Sequence, residues 1–192
     1  EQGKEELAHY SIGTTDIEMI TTDGTKDYPW SVKQALWSPD SKRLAVLRTD
    51  VRKVPKQPVV HWLKPEQPVD MNPVTRPGST VPQFELVIID IETKRRVIVA
   101  SDGRTDLTLL PITWTPDGRE VLFLRFDREC KSLELVAASG TGTTRVLVRE
   151  QSETFVQSPI MGSLTMPFVG NGSQFIWMSE RTGWNHLYLY GL

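Results

Sequence analysis

Apolar residues along this chain fall in short runs of β-branched and aromatic types bounded by Gly, Pro, Asp and Asn, and helical periodicity is hard to find. The pattern predicts an all-β protein. Strands are expected at Leu44 to Arg48, Glu85 to Asp90, Arg96 to Ala100, Val121 to Phe126, Leu133 to Ala137, Arg145 to Arg149, Phe175 to Ser179 and His186 to Tyr190. Three segments repeat a motif. Leu36-Trp37-Ser38-Pro39-Asp40-Ser41 precedes the run Arg43 to Leu47, and Thr113-Trp114-Thr115-Pro116-Asp117-Gly118 precedes Glu120 to Leu124. A looser copy, Pro167-Phe168-Val169-Gly170-Asn171-Gly172, precedes Gln174 to Met178. Each reads as a strand end, a tight turn and a β-run, because Pro presets φ and Asp, Asn or Gly tolerates the bend.

A second kind of unit follows the first two hairpins: a strand carrying acid, then a turn, then another β-run. Examples are Val87 to Lys94 before Val97 to Val99, and Leu133 to Val136 before Val146 to Val148; Tyr10 to Thr22 looks like the same half of an earlier unit. The spacing from Trp37 to Trp114, once an insertion is removed, and from Trp114 to Phe168 comes close to a propeller blade of roughly 40–50 residues. Four short antiparallel strands per unit is the blade signature. The expected fold is therefore a β-propeller, here an incomplete set of about three to four four-stranded antiparallel blades.

The insertion spans Val51 to Val81 and holds six of the 13 prolines: Pro55, Pro58, Pro65, Pro68, Pro73 and Pro77. Such density removes backbone donors and favours extended conformation, so the segment reads as a long excursion rather than part of a sheet. Two roles stand open for it, a contact surface or a solvated loop that tolerates its length. A propeller closes only when its first and last blades meet, so open units at both ends are expected of a portion of a larger protein.

Charge and composition narrow the function classes. Lys plus Arg number 22 against 24 Asp plus Glu, a net charge of -2 with no block of like charge, which argues against a basic nucleic-acid-binding surface. With 39% hydrophobic residues and six Trp, the chain has too much apolar material for a disordered segment. No apolar run approaches the roughly 20 residues of a membrane-spanning helix, and Glu1 to Glu6 is charged rather than signal-like. The single cysteine, Cys130, excludes an internal disulfide and any multi-thiolate metal site.

A search for catalytic constellations finds none. No serine has a glycine two residues before it, so no G-x-S-x-G nucleophile elbow is present. His9, His61 and His186 are far apart and show no metal-ligand spacing, so each is read as a surface or structural histidine. Gly140-Thr141-Gly142-Thr143-Thr144 lacks the Lys and following helix of a phosphate loop and reads as a turn. Glu5 with Glu6, and Glu150 with Glu153, read as solvated acids. Cys130 has basic neighbours but no His partner, which favours an exposed or half-buried thiol without chemistry. Asn171-Gly172-Ser173 matches a glycosylation acceptor but reads first as a hairpin turn. The adjacent Glu180 and Arg181 are expected to pair with neighbouring strands and pin a hairpin.

The run Ser179-Glu180-Arg181-Thr182-Gly183-Trp184-Asn185-His186-Leu187-Tyr188-Leu189-Tyr190 resembles the S-E-R-x-G-x-x-H-[IL]-[YW] stretch in the propeller domain of dipeptidyl peptidase IV-like serine peptidases, of the prolyl oligopeptidase clan. Other motifs agree in order: Trp37-Ser38-Pro39-Asp40 with Leu44-Ala45-Val46, then Val54-Pro55, then the insertion leading through Arg76-Pro77-Gly78 into Phe84-Glu85-Leu86-Val87. The resemblance covers essentially the whole chain. It implies one partial propeller domain over residues 1–192 that caps a C-terminal α/β-hydrolase domain beyond Leu192, where the catalytic residues would lie. It further implies action on short peptides by removal of N-terminal dipeptides, the propeller holding the free amine. In the family that anchor is commonly a glutamate pair in a pattern similar to D-W-x-Y-E-E-E. Here the window runs from Asp27-Tyr28-Pro29-Trp30 to Trp37, and no acid follows Asp27 in it, so the anchor is not carried over and cleavage specificity stays open.

The sequence thus leads to a noncatalytic propeller portion of a serine exopeptidase that gates and orients short peptides. Its expected partners are the hydrolase domain of the same parent chain, a peptide substrate and a second copy, without nucleic acid or a membrane span. No catalytic, cofactor-binding, metal or substrate-binding residue is assigned, and no cofactor is expected. By resemblance the compartment is periplasmic or extracellular. The rival reading is a noncatalytic propeller that binds a protein or peptide partner. A sensor or translocation-linked propeller is a third, which lacks the Ser-Glu-Arg run.

Overall fold

The computed structural model describes residues 7–10, 17–99, 104–157 and 166–192. Among them there is no α-helix; strands carry the fold, with one 3-10 turn at Gly170–Gly172. Strands β1 (Ala8–Tyr10) and β2 (Ile17–Met19) pair antiparallel. The next sheet holds β3 (Trp30–Trp37), β4 (Arg43–Asp50), β7 (Gln83–Asp90) and β8 (Arg96–Ile98), in that order across the sheet. Between β4 and β7 the chain leaves to form a separate hairpin of β5 (Lys56–Val59) and β6 (Asp70–Pro73). The third unit is the meander β9 (Thr108–Trp114), β10 (Glu120–Phe126), β11 (Ser132–Ser139) and β12 (Thr144–Gln151). Last come β13 (Phe168–Val169), β14 (Gln174–Ser179) and β15 (His186–Gly191), a three-stranded sheet.

Burial shows how these sheets stack. Four successive residues of β4, Leu44 to Leu47, are buried, as are Leu86 to Ile89 of β7 and Val121 to Leu124 of β10. Since side chains alternate between faces, such runs need cover on both sides. Leu44, Val46, Val87 and Ile89 meet Leu7, Ile20 and Trp30, whereas Ala45, Leu47, Leu86 and Ile88 meet Leu109, Trp114, Val121 and Phe123. Leu122, Leu124, Leu133 and Leu135 turn the other way, onto Phe175 and Trp177. The core is thus three inter-sheet layers, the arrangement of consecutive propeller blades.

The repeated turns are built alike. Ser38 Oγ donates to Asp40 Oδ1 at 2.6 Å and accepts from the Arg43 amide at 2.9 Å; Thr115 Oγ1 donates to Asp117 Oδ1 at 2.6 Å and accepts from the Glu120 amide at 3.1 Å. The turns also stack on one another. A Cβ on Gly118 would stand 3.3 Å from Pro39 Cδ, and one on Gly172 would stand 2.9 Å from Pro116 Cβ and Cγ. Both glycines have positive φ, so residue type and turn-to-turn contact are coupled.

Two features differ from expectation. The first strand of each four-stranded sheet, β3 and β9, extends well before the strand end that the repeated motif marks, because β3 mixes Ser31, Lys33 and Gln34 into its run and β9 carries Pro111 beside a register shift. An edge position beside a bulge is where a strand tolerates Pro. The excursion, read as sheet-free, contains the β5–β6 hairpin. Pro55 O accepts from the Val74 amide at 2.9 Å, so hydrogen-bonded pairs fall at alternate positions and Pro58 and Pro73 occupy the outward-facing ones between. No ladder bond is lost to either. The expected strand end at Ala100 lies outside the described residues.

Candidate functional site

In an antiparallel meander, the connections between first and second and between third and fourth strands lie at one end of the sheet, and the remaining ones at the other. The repeated tight turns occupy the first end. Gathered at the second are the excursion, residues 127–131, residues 180–185 and the ends of β8 and β12, where the chain leaves each four-stranded sheet. This long-connection end carries the candidate site.

The excursion is tied down at its base. Val54 is buried, Lys56 Nζ pairs with Asp27 Oδ2 at 2.7 Å, and Arg128 donates to the carbonyls of Ser79 at 2.8 Å and Arg76 at 3.0 Å. Its far end projects, with Trp62 86% and Leu63 97% exposed. His61 lies on this hairpin, 3.0 Å from Asp70.

In the window from Asp27 to Trp37, Asp27 is engaged by Lys56 and Tyr28 donates to Glu85 Oε2 at 2.5 Å. Glu85 comes from β7, opposite Arg48 of β4, a pairing that no spacing within the window could disclose. The Arg48 guanidinium lies over Tyr28, as does that of Arg52, itself bound by Asp50 at 2.6 Å. Burial and then the Glu85 hydrogen bond and charge push the Tyr28 phenol up to about 12. The Arg52 hydrogen bond takes Asp50 down to about 2. Arg48 also binds Asp23 at 3.0 Å, and Asp23 accepts from Arg96 at 2.9 Å and Trp30 Nε1 at 3.3 Å. Burial opposes ionisation of Asp23, but these donors outweigh it and hold its carboxyl below the usual range. Every acid here has a partner, so the cluster is a structural tie.

Two more carboxylates sit at the same end. Glu134, buried on β11, binds Arg125 Nε at 2.5 Å, Arg104 at 2.9 Å and Arg149 at 2.8 Å. Burial works against its charge, yet the guanidiniums prevail and lower its pKa. Glu150 is the penultimate residue of β12; its Oε1 accepts from Trp177 Nε1 at 2.9 Å and from Arg181. Arg181 is held further by Ser179 Oγ at 3.1 Å and lies 4.5 Å from the Tyr188 ring centre. The Arg181 half of the expected hairpin pin is therefore a bond to the neighbouring sheet, while Glu180 is exposed. Between the end of β12 and the 180–185 turn opens a cleft of about 290 Å³ lined by Glu150, Ser152, Phe155, Gln157, Met178 and Glu180, among others.

The other sequence candidates are scattered. His186 opens β15, paired with Ser179; only the backbone of His9, in β1, is described; Glu5 and Glu6 lie outside the described residues. Gly140–Thr143 is the β11–β12 turn at the opposite end, with hydroxyl contacts among Ser139, Thr141 and Thr143. Cys130 is half-buried in the β10–β11 turn, Glu153 is exposed, and Asn171 is exposed in the 3-10 turn. Glu150, expected as a solvated acid, is instead buried; the signal in the sequence is its place near the end of a strand whose neighbour sheet carries a Trp.

Stacked antiparallel sheets around inter-sheet cores, with tight turns at one end and long connections at the other, define a β-propeller class of protein, present here as an incomplete set of blades. Within that class the chain belongs to a definite family: residues 31–192 match the model of the dipeptidyl peptidase IV N-terminal region. Relatives include the dipeptidyl peptidase 4 of Arthroderma otae, 27% identical over 169 residues, and that of Trichophyton rubrum, 26% identical over 169 residues. Both alignments cover 81% of this chain and 22% of the relative, so the chain spans about a fifth of their length. The crystal structure of Porphyromonas gingivalis dipeptidyl peptidase 4 shares the fold, with TM-score 0.80 and 18% identity over 92% of this chain and 27% of that one. No helix among the described residues is long and apolar enough to cross a membrane.

Proposed function

We propose that this chain is the noncatalytic propeller portion of a dipeptidyl peptidase IV-like serine exopeptidase, where it gates and orients short peptides for an α/β-hydrolase domain of the same longer protein. The observation that carries this reading is the family match over residues 31–192, an N-terminal region in proteins named for dipeptidyl peptidase activity. Concentration of the long connections at one end supports it, since that end has the relief a substrate passage needs. In the same reading the parent protein is periplasmic or extracellular, and the excursion docks on the hydrolase domain or on a second copy. Its exposed Trp62 and Leu63 support a docking role.

Labelling native cell extract with a fluorophosphonate, followed by capture with an antibody against this segment, tests the assignment. A labelled species several times the mass of this chain is expected. An unlabelled species of any size would overturn it in favour of a binding propeller, the reading that the exposed hairpin also serves. Deleting residues 56–73 from the full-length protein is expected to change activity or oligomeric state; if neither changes, the excursion has no docking role.

A further inference from the structure

Strand β3 carries more chain than its neighbour can match. Ser31 pairs with Leu47 and Leu36 with Ala45, so four residues, Val32 to Ala35, stand opposite the single Val46. In the next sheet the equivalent interval of β9 holds one surplus residue, Ile112, between the pairs Thr113–Leu122 and Pro111–Phe123. Both first strands therefore bulge at the same place in the repeat, β3 by three residues and β9 by one. The fold needs no more than the bulge of β9, so the extra length of β3 has another use. Ser31 Oγ donates to Gln34 Oε1 at 3.1 Å across the base of the bulge, and Ala35 packs inward. Val32, 66% exposed, and Lys33, also exposed, form its crest. A bulge of this kind bends its strand and re-aims the side chains that it carries. β3 has β4 on one side and no paired strand on the other, and it lies against β9, whose Trp114 Nε1 donates to Leu36 O at 2.9 Å. Blades meet at their first strands around a central channel, so the crest belongs to the channel wall.

Charge says what the crest meets. The first strands β3, β9 and β13 together carry one charged side chain, that of Lys33. Lys33 has no hydrogen bond or ion pair among the described residues. We infer that Lys33 receives a carboxylate of the peptide in the channel, with Val32 against the adjoining aliphatic chain, so that this wall selects peptides carrying negative charge. The inference rests on the reading that the protein orients short peptides, and it adds the class of peptide favoured. An ammonium on a flexible stem meets a carboxylate without fixed geometry, and its exposure to water limits the preference to severalfold. Lys33 is a positioning residue remote from the bond that is cut, so its effect falls on KM rather than kcat. An acidic side chain and a C-terminal carboxylate share the chemistry, and the test separates them.

The experiment uses the full-length protein and four tetrapeptide pools, randomised at the first two residues. The third and fourth residues are both Glu or both Gln, and the C-terminus is free or amidated. Cleavage of each pool is followed by mass spectrometry. Pools with a carboxylate are expected to be cleaved with kcat/KM about three- to fivefold above the amidated Gln pool, the difference lying in KM. If the amidated Glu pool shows the preference, an acidic side chain suffices; if only the free-terminus pools show it, Lys33 reads the C-terminus. Lys33→Met, at an exposed residue, should abolish the preference, Lys33→Arg should keep it and Lys33→Glu should reverse it. Equal cleavage of charged and neutral pools by the parent protein, or a preference that survives Lys33→Met, overturns the inference alone. No cleavage of any pool overturns it together with the peptidase reading.

Discussion

The guanidinium of Arg48 lies 3.5 Å from the centre of the Tyr28 ring and, on the same side chain, 4.6 Å from that of Trp30. Arg52 meets Tyr28 at 4.5 Å and Arg96 meets Trp30 at 5.2 Å, so three arginines and two aromatic rings alternate across the first four-stranded sheet. Asp23 pairs with Arg48 and Arg96 and Asp50 with Arg52, while Glu85 accepts from the Tyr28 hydroxyl. The ladder binds the segment that enters β3 to strands β4 and β8, which come later in the chain.

Removing its centre should therefore loosen that entry. Arg48→Met is expected to cost about 2–3 kcal/mol, because stacking on two rings and a partly buried ion pair are lost together. Arg48→Lys should recover less than half, since an ammonium cannot bridge Asp23 in the same planar geometry. Denaturant unfolding of the full-length proteins followed by tryptophan fluorescence checks this. Equal midpoints for the lysine variant and the parent would refute the stacking argument.

Tyr28 provides an alkaline signature. Its phenol is raised from 10.0 to about 12, first by burial and then by Glu85, so the folded state holds the proton more tightly than the unfolded chain. The stability this supplies is complete below 10.0 and is lost as pH rises toward about 12. Glu85→Gln should move the Tyr28 midpoint back toward 10.0 in a phenolate absorbance titration, with Tyr28→Phe identifying the band.

Glu134 acts at the other extreme. Its folded value is depressed below 4.5, so its contribution is complete above 4.5 and disappears as the pH falls through the folded value. Glu134→Gln should cost about 3–5 kcal/mol at neutral pH by removing a buried carboxylate charge that Arg125, Arg104 and Arg149 share. Acid unfolding curves of the two proteins should then converge as the pH drops. A constant gap down to the lowest pH would show that the carboxylate charge is not what matters.

Gly172 tests the stacking of turns. Gly172→Ala places a methyl group at positive φ and against Pro116, for an expected loss of about 2–3 kcal/mol. Gly183→Ala has the same sign of φ but open space around it, so it should cost only the backbone part, about 1 kcal/mol. Thermal midpoints of the pair separate contact from conformation.

Much of the architecture was legible because its causes are local. The hydroxyl, Pro and Asp of Ser38-Pro39-Asp40 and Thr115-Pro116-Asp117 close their turns within five residues, and the unbroken apolar runs of β4, β7, β10 and β11 call for cover on both faces. A sequence displays such features directly. The strands β3 and β9 were only partly legible, since edge strands mix polar residues and Pro into their runs and burial does not mark them.

The sequence by itself determined strand content, blade repeat, tight turns and family resemblance, all of which depend on residue types a few positions apart. Only the tertiary structure decided which charges meet. Tyr28 reaches Glu85 across 57 positions, Arg104 reaches Glu134 across 30, and Arg181 reaches Glu150 across 31. Those meetings follow from strand register and from the stacking of one sheet on the next. A one-residue slip would turn the strand-borne partners Glu85, Glu134 and Glu150 to the opposite face. The cleft at Glu150 exists for the same reason: its walls belong to two sheets, and neither holds the site alone.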